Sequence, residues 1–259
     1  MLTGAGVSAA SGVPTFRGTS GLWRRFRPEE LATPGAFARD PRLVWEWYDW
    51  RRQLLAGCRP NRAHEVLAAW SRRLPNFTLI TQNVDDLHEV AGARHVIRLH
   101  GSIWHVRCQT PCRAGSTPWL DDLPYARGAP PPLGHPNAAA ALGTPLSSRG
   151  PQAPLTRELP PRCPYCDALL RPAVVWFGES LDPKIVERAS AATDCDLFFA
   201  IGTSGVVYPA AGLLHEAKRR NAFTVEINPE ATDASPLVDL AIAERAEIVL
   251  DRLDSAIGR

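Results

Sequence analysis

GAGVSAASGVPTFR, residues Gly4–Arg17, is the stretch from which the rest of the chain can be read. Gly4, Gly6 and Gly12 stand among small residues, so the backbone can turn sharply and lie close to a ligand where a side chain would block the approach. A helix starting near Ala5–Ser11 would turn its free amides and the positive end of its dipole toward a phosphate. The spacing Gly4-x-Gly6-x-x-Ala9 is a permitted form of the dinucleotide fingerprint, which alone is a weak signal. A hydride-transfer domain of that type carries an acidic residue about 20 residues further on, closing its second strand. Here Glu29 and Glu30 follow Pro28 in a segment without strand character, which argues against an ordinary dehydrogenase.

With 259 residues and 45% hydrophobic content, the chain can bury a full core, and its length suits one large domain carrying a small insertion. A formal net charge of +2 is too near zero to make nucleic acid the main partner, and the cluster Arg24, Arg25 and Arg27 reads as a solvated face. Leu197–Leu214 is an uncharged run of 18 residues, long enough to suggest a membrane span. Gly202-Thr203-Ser204-Gly205 and Pro209 interrupt it, so it reads as a buried strand, a turn and a helix start. No basic and apolar signal segment opens the chain, which sets a cytoplasmic location away from membranes as the expectation. Six cysteines in that compartment stay reduced, favouring metal ligation over disulfides.

Only Met1, Leu2 and Thr3 precede the glycine stretch, whereas a strand feeding a nucleotide loop has about five residues. The expectation is a first strand cut short or a start that lies upstream. From Ser11 to Trp23 periodicity is lacking, and the stretch reads as a mobile segment that closes over ligand. Asp40-Pro41 predicts a helix N-cap, with Gly57 as the stop and Leu43–Leu55 between them. His64–Leu74 predicts a second helix and Phe77–Thr81 a short strand, with Val96–Leu99 leading into His100. Further on, Arg171–Phe177, Asp196–Ile201 and Phe223–Ile227 read as strands. Pro183–Ala192, Leu213–Asn221 and the stretch from Ile248 read as helices. Such alternation predicts an α/β fold: a Rossmann-like parallel sheet with helices on both faces, carrying functional groups at the carboxyl ends of its strands. Residues 1–107 and 167–259 would form it, with a helical insertion around 28–75.

Between them, Cys108-x-x-x-Cys112 and Cys163-x-x-Cys166 bracket a segment with ten prolines from Pro124 to Pro161, too poor in apolar periodicity for a core of its own. Two close pairs of thiolates suit tetrahedral zinc with no open position for a substrate, so residues 108–166 read as a structural zinc module with a long loop. Cys58 and Cys195 are left over as ordinary thiols.

A lone histidine before glycine at a strand end, such as His100, is an ordinary polar residue. In company with Gln82, Asn83 and Asp85 of Thr81–Asp86 (TQNVDD) it reads as a group able to take a proton from a hydroxyl near neutral pH. Gly4–Arg17, Thr81–Asp86 and His100-Gly101, in that order, resemble the sirtuins, the NAD-consuming protein-lysine deacylases. The resemblance runs from Leu2 to about Ala256 and is closest to the class III branch, which removes acidic acyl groups. It implies that His100 is the general base acting on a ribose hydroxyl of NAD. It further implies that Asn83 orders the ribose and a water, Asp85 holds the nicotinamide carboxamide and Gln82 contacts ribose. Gly4, Ala5 and Gly6 match the phosphate turn, and Phe16 and Arg17 the loop shielding the reactive sugar. Gly202, Thr203 and Ser204, with Asn228 and Glu230, match the adenosine side. Val174, Trp176 and Phe177, in VVWFGE at Val174–Glu179, match the strand pairing with a substrate peptide; a plain core strand is the other reading. The implied reaction is attack by the acyl-lysine amide oxygen on the ribose carbon bearing nicotinamide. Its products are free lysine, nicotinamide and O-acyl-ADP-ribose.

Tyr48 and Arg51 lie three apart on one face of the helix over Leu43–Leu55, where neighbouring tryptophans can wall an apolar tunnel. Arg51 could simply pair with Glu46 or Glu65 at the surface. The resemblance instead matches a class III Tyr-x-x-Arg pair, with small Ala32 widening the pocket for a succinyl or malonyl group. Two other functions stand beside deacylation: a non-catalytic zinc-ribbon module binding acyl-lysine, and mono-ADP-ribosyl transfer from the same pocket.

Overall fold

Why the glycine stretch turns where it does is visible in a computed structural model, which describes residues 1–16, 27–112, 117–121 and 159–258. Arg17, the stretch 18–25 with Arg24 and Arg25, and most of the proline-rich loop lie outside the described residues. The chain divides into two compact units: the described residues of Met1–Arg25, Arg59–His100 and Ser180–Arg259, and those of Phe26–Cys58 and Gly101–Glu179.

The first unit is built on a six-stranded sheet in the order β3-β2-β1-β7-β8-β9. Its strands are β1 (Leu2–Thr3), β2 (Ile80–Thr81), β3 (Ile97–Arg98), β7 (Leu197–Ile201), β8 (Phe223–Ile227) and β9 (Leu240–Ile242), all paired in parallel. Alternate residues of a strand face opposite sides, and two apolar clusters follow. Phe199, Ile201, Val225 and Ile227 pack with Val66, Leu67 and Trp70 of α4 (Arg62–Arg73) and with Val249 and Leu250 of the last helix, Ala246–Ile257. Leu2, Ile80 and Phe198 pack with Ala189 of helix Pro183–Ala191 and with Leu213 and Leu214 of helix Ala210–Arg219. Helices therefore cover both faces, as the alternation of elements predicts. No helix among the described residues is long and apolar enough to cross a membrane, and Leu197–Leu214 is strand, turn and helix.

Several boundaries differ from the sequence reading. α4 begins at Arg62 because Asn61 caps it, accepting from Ala63 N, while its own N–H is taken by His64 Nδ1. Helix Ala210–Arg219 opens three residues before Leu213, and the last helix two before Ile248. β2 is confined to Ile80–Thr81 of the predicted Phe77–Thr81, since its ladder partners β1 and β3 each pair with it only over those two residues.

In the second unit, β4 (Gly101–Cys108) pairs antiparallel with β5 (Trp119–Leu120) and β6 (Leu170–Val174). Among the described residues three helices accompany them: α1 (Pro28–Leu31), α2 (Pro34–Arg39) and α3 (Pro41–Ala56). Asp40 accepts from Leu43 N with Pro41 at the first helical position, and Gly57 follows the end, as predicted. The sequence reading grouped 28–75 with the nucleotide sheet, whereas the contacts group α1–α3 with β4–β6. The reason is long-range bonding: Trp45 Nε1 donates to Leu170 O at 2.8 Å, and buried Arg52 donates to Ile103 O (2.7 Å) and pairs with Asp121 (3.0 Å).

Candidate functional site

In the first unit the sheet order reverses chain direction between β1 and β7, the switch point where open α/β sheets leave a crevice at their carboxyl ends. Residues following each strand line up there in sheet order: His100 after β3, Gln82–Asp85 after β2, Gly4–Gly6 after β1, Gly202–Ser204 after β7 and Asn228 after β8. Ala5–Ser11 is a 3₁₀ helix rather than an α-helix, ended by Gly12 at φ 86°. Its glycines answer to a second turn. Gly4 N donates to Ile201 O (3.0 Å) and Gly6 N to Gly202 O (2.8 Å). A Cβ on Gly6 would stand 2.7 Å from Gly202 Cα, and one on Gly202, itself at φ +58°, 2.5 Å from Val7 N. The close approach read from the sequence as ligand to backbone is thus, at these positions, backbone to backbone.

The loop after β7 is held from both flanks: Gln82 Nε2 donates to Thr203 Oγ1 (2.8 Å) and Asn228 Nδ2 to Thr203 O (2.9 Å). Glu230 is exposed and Phe16 half-buried at the last described residue before the gap. His100 Nδ1 lies 3.0 Å from Gln82 O. A carbonyl only accepts, so Nδ1 carries the hydrogen and Nε2 is left with its lone pair free to take a proton. Burial lowers the His100 pKa, the Gln82 carbonyl opposing in part, so the imidazole is neutral at pH 7.

Under the turn lies a buried polar network that the sequence reading missed. Ser8 Oγ donates to Asp85 Oδ2 (2.8 Å), accepts from Asn83 Nδ2 (3.1 Å) and lies 3.2 Å from His64 Nε2. Because His64 Nδ1 accepts from Asn61 N, its Nε2 carries the hydrogen toward Ser8. Asp85 Oδ1 accepts from Leu87 N (3.0 Å), so both carboxylate oxygens are engaged within the protein. His88 Nε2 meets Thr3 Oγ1 at 3.0 Å, and its ring stands 4.9 Å from that of His64. Burial depresses His64 to about 4 and His88, beside it, to about 3.

The second unit gathers the predicted acyl-side residues. Tyr48 is 1% and Arg51 9% exposed, and the Arg51 guanidinium lies 4.8 Å from the Trp47 ring centroid and 5.5 Å from that of Tyr48. Glu46, one acid named beside it in the sequence, pairs with Arg42 at 2.9 Å. Of the predicted strand Arg171–Phe177 only the part to Val174 is in the ladder. Glu179 Oε2 captures Trp176 N (2.9 Å), which bends the chain out, and Phe177 N donates to the buried Ala32 O (2.9 Å). Trp176 is buried, with Nε1 donating to Tyr48 Oη (2.9 Å), and therefore belongs to the Tyr48 surroundings; Phe177 is 44% exposed.

The four sulfurs of Cys108, Cys112, Cys163 and Cys166 lie within 4.8 Å of one another. Cys108 and Cys166 are 3.4 Å apart, Cys112 and Cys163 3.9 Å. A tetrahedron with Zn–S bonds of about 2.3 Å has edges of about 3.8 Å, so the set fits zinc. Cys58 and Cys195 stand apart, each thiol donating to a backbone carbonyl, of Leu54 and Thr193. Of the basic cluster only Arg27 is described, and it faces Glu30 at 3.6 Å.

The model of the Sir2 family matches residues 4–209. An NAD-dependent protein deacylase of Aquifex aeolicus is 46% identical over 253 residues, 97% of this chain and 92% of that protein. NAD-dependent protein deacylase 1 of Pseudomonas aeruginosa is 47% identical over 232 residues, covering 89% and 82% respectively. Among solved structures, a mutant Sir2 homologue in complex with ADP-ribose superposes with a TM-score of 0.82 at 42% identity, over 99% of this chain and 90% of that one. A Sir2 mutant with a deacetylated p53 peptide and 3'-O-acetyl ADP-ribose gives 0.76 at 26% identity, over 99% and 92%.

Proposed function

The chain belongs to the Sir2 family and is an NAD-dependent protein deacylase acting on acyl-lysine, and from that premise we propose which residues do the work and which acyl groups they favour. NAD supplies the ADP-ribosyl group that accepts the acyl oxygen. His100 Nε2 takes the proton of a ribose hydroxyl, Nδ1 being held by the Gln82 carbonyl. Asn83 and Asp85, fixed through Ser8, position the nicotinamide ribose and the carboxamide. Gly4–Gly6 and Phe16 enclose the phosphates and sugar, while Gly202–Ser204, Asn228 and Glu230 receive the adenosine. Cys108, Cys112, Cys163 and Cys166 hold a structural zinc that takes no part in the chemistry.

For the acyl group we favour succinyl and malonyl over acetyl. The observation carrying this is the juxtaposition on α3 of a phenol and a guanidinium, both nearly buried against aromatic faces. A carboxylate ending the acyl chain would meet two donors there, with a charged hydrogen bond contributing roughly 1.5–3 kcal/mol, about 10- to 150-fold in specificity. An acetyl group has no anion to offer. The test is mass spectrometry of products from matched succinyl-, malonyl- and acetyl-lysine peptides with NAD. Arg51→Met is expected to lower the ratio of desuccinylation to deacetylation by that factor. An unchanged ratio would remove the acidic-acyl assignment and leave deacylation standing, and a peptide-bound ADP-ribose product would point to mono-ADP-ribosyl transfer.

A further inference from the structure

Trp176 is 3% exposed, yet its indole nitrogen spends its hydrogen on a side chain rather than on backbone: Nε1 donates to Tyr48 Oη at 2.9 Å. An indole N–H can donate and never accept. A phenolic hydrogen lies in the plane of its ring, with two orientations. An indole N–H seated on one oxygen lone pair therefore turns the phenolic hydrogen to the other side, where it can only be given away.

The indole is itself locked in place. The Arg171 guanidinium lies 3.4 Å from its ring centroid, and the Phe37 ring 5.3 Å away. Arg171 donates to Glu179 Oε1 (2.5 Å) and Oε2 (3.0 Å) and to Val174 O (2.9 Å), and Glu179 Oε2 accepts the Trp176 backbone N–H as well. One ion pair thus fixes the turn, the turn fixes the indole, and the indole reaches the phenol. Burial raises the Tyr48 pKa, so the hydroxyl keeps its hydrogen.

We infer that Trp176 is a positioning residue that presets the Tyr48 hydroxyl as a donor, so that phenol and Arg51 guanidinium together select a carboxylate-bearing acyl chain. The inference rests on the acyl preference proposed above. A hydroxyl free to turn can greet a donor or an acceptor equally; one held as a donor rejects cationic and donor-ended acyl groups, which is selectivity by mismatch as well as by attraction.

The experiment compares kcat/KM for succinyl- and acetyl-lysine peptides in the wild type, Trp176→Phe, Tyr48→Phe and the double variant. Trp176→Phe keeps an aromatic ring and loses the N–H, and the expected fall in the succinyl-to-acetyl ratio is about 3- to 10-fold, that of one neutral hydrogen bond. In the Tyr48→Phe background the same change is expected to leave the ratio where it is, because the two act through one hydroxyl. Equal losses in both backgrounds, or equal losses on both peptides, would make Trp176 a packing residue and overturn the inference while Arg51→Met still shifts the ratio. If Arg51→Met is silent too, the acyl preference fails and takes this with it. A second readout needs no variant at position 176: the Trp176 indole N–H resonance should move on adding succinyl-lysine peptide and stay on adding acetyl-lysine peptide, and the reverse would overturn the coupling.

Discussion

At His100 the proton inventory precedes the chemistry: Nδ1–H is committed to Gln82 O, Nε2 is free, and burial keeps the ring neutral. His100→Tyr is expected to cut turnover on the order of 10²-fold or more while far-UV circular dichroism stays native. Since the shift is downward, the acid limb of kcat/KM should fall below the ordinary imidazole value of about 6.5, and a limb at or above it would contradict the burial argument. That Gln82, Asn83 and Asp85 stand beside His100 was legible because each sits in a short motif at the end of a strand, and β2 and β3 are neighbours in the sheet. Ser8 with His64 was not, for that contact spans 56 residues, and neither a serine in a glycine turn nor a histidine at a helix start announces it. The buried histidines also make stability depend on pH. Between about pH 6.5 and the folded values near 4 and 3, the unfolded chain binds a proton on each ring that the fold refuses. Stability therefore declines as pH falls through that window and is indifferent to these rings above it, with a slope of up to about 1.4 kcal/mol per pH unit for each. Urea midpoints measured from pH 7 to 4.5 should show the slope reduced by about one proton in His88→Asn; an unaltered slope would mean that His88 titrates in the folded protein.

At the scale of elements, α3 was the most legible because its ends are written in local chemistry, an aspartate cap, a proline and a glycine. β2 and β6 were misjudged because a strand extends only as far as something pairs with it. For β2 the limit is the two-residue pairing that β1 and β3 each offer, and for β6 it is Glu179 drawing Trp176 N out of the ladder. The grouping of α3 with β4 and β6 was illegible for a similar reason: Arg52 and Asp121, 69 residues apart, are 5% and 4% exposed as side chains and bond at 3.0 Å. Taking away one member of a buried pair strands the other's charge, at a cost of about 3–5 kcal/mol. Asp121→Ala is accordingly expected to lower the thermal midpoint well beyond what an exposed aspartate such as Asp251 does when replaced. Similar midpoints for the two variants would show that α3 is held by its apolar face alone.

For the whole molecule, the two compact units differ in what supports them. The first carries an apolar cluster on each face of a six-stranded sheet, with four longer helices packed on it. Among its described residues the second has three strands, one only two residues long, and its sheet ends at the cysteines: Cys108 closes β4 opposite Leu170, and Cys163 and Cys166 occupy the turn that leads into β6. A metal holding those four thiolates therefore closes the end of that sheet, and its binding energy is folding energy for that end. Removing zinc with a strong chelator, or by Cys163→Ser, should raise amide hydrogen exchange along Gly101–Cys108 and Leu170–Val174. Leu197–Ile201 and Phe223–Ile227, buried under helices on both faces, should keep their protection. Metal analysis should follow the same course, with one zinc per chain before treatment and none after. If both sheets lose protection together on chelation, the units unfold as one cooperative body; if neither does, the cysteine cluster is dispensable to the fold and its assignment as a structural site is wrong.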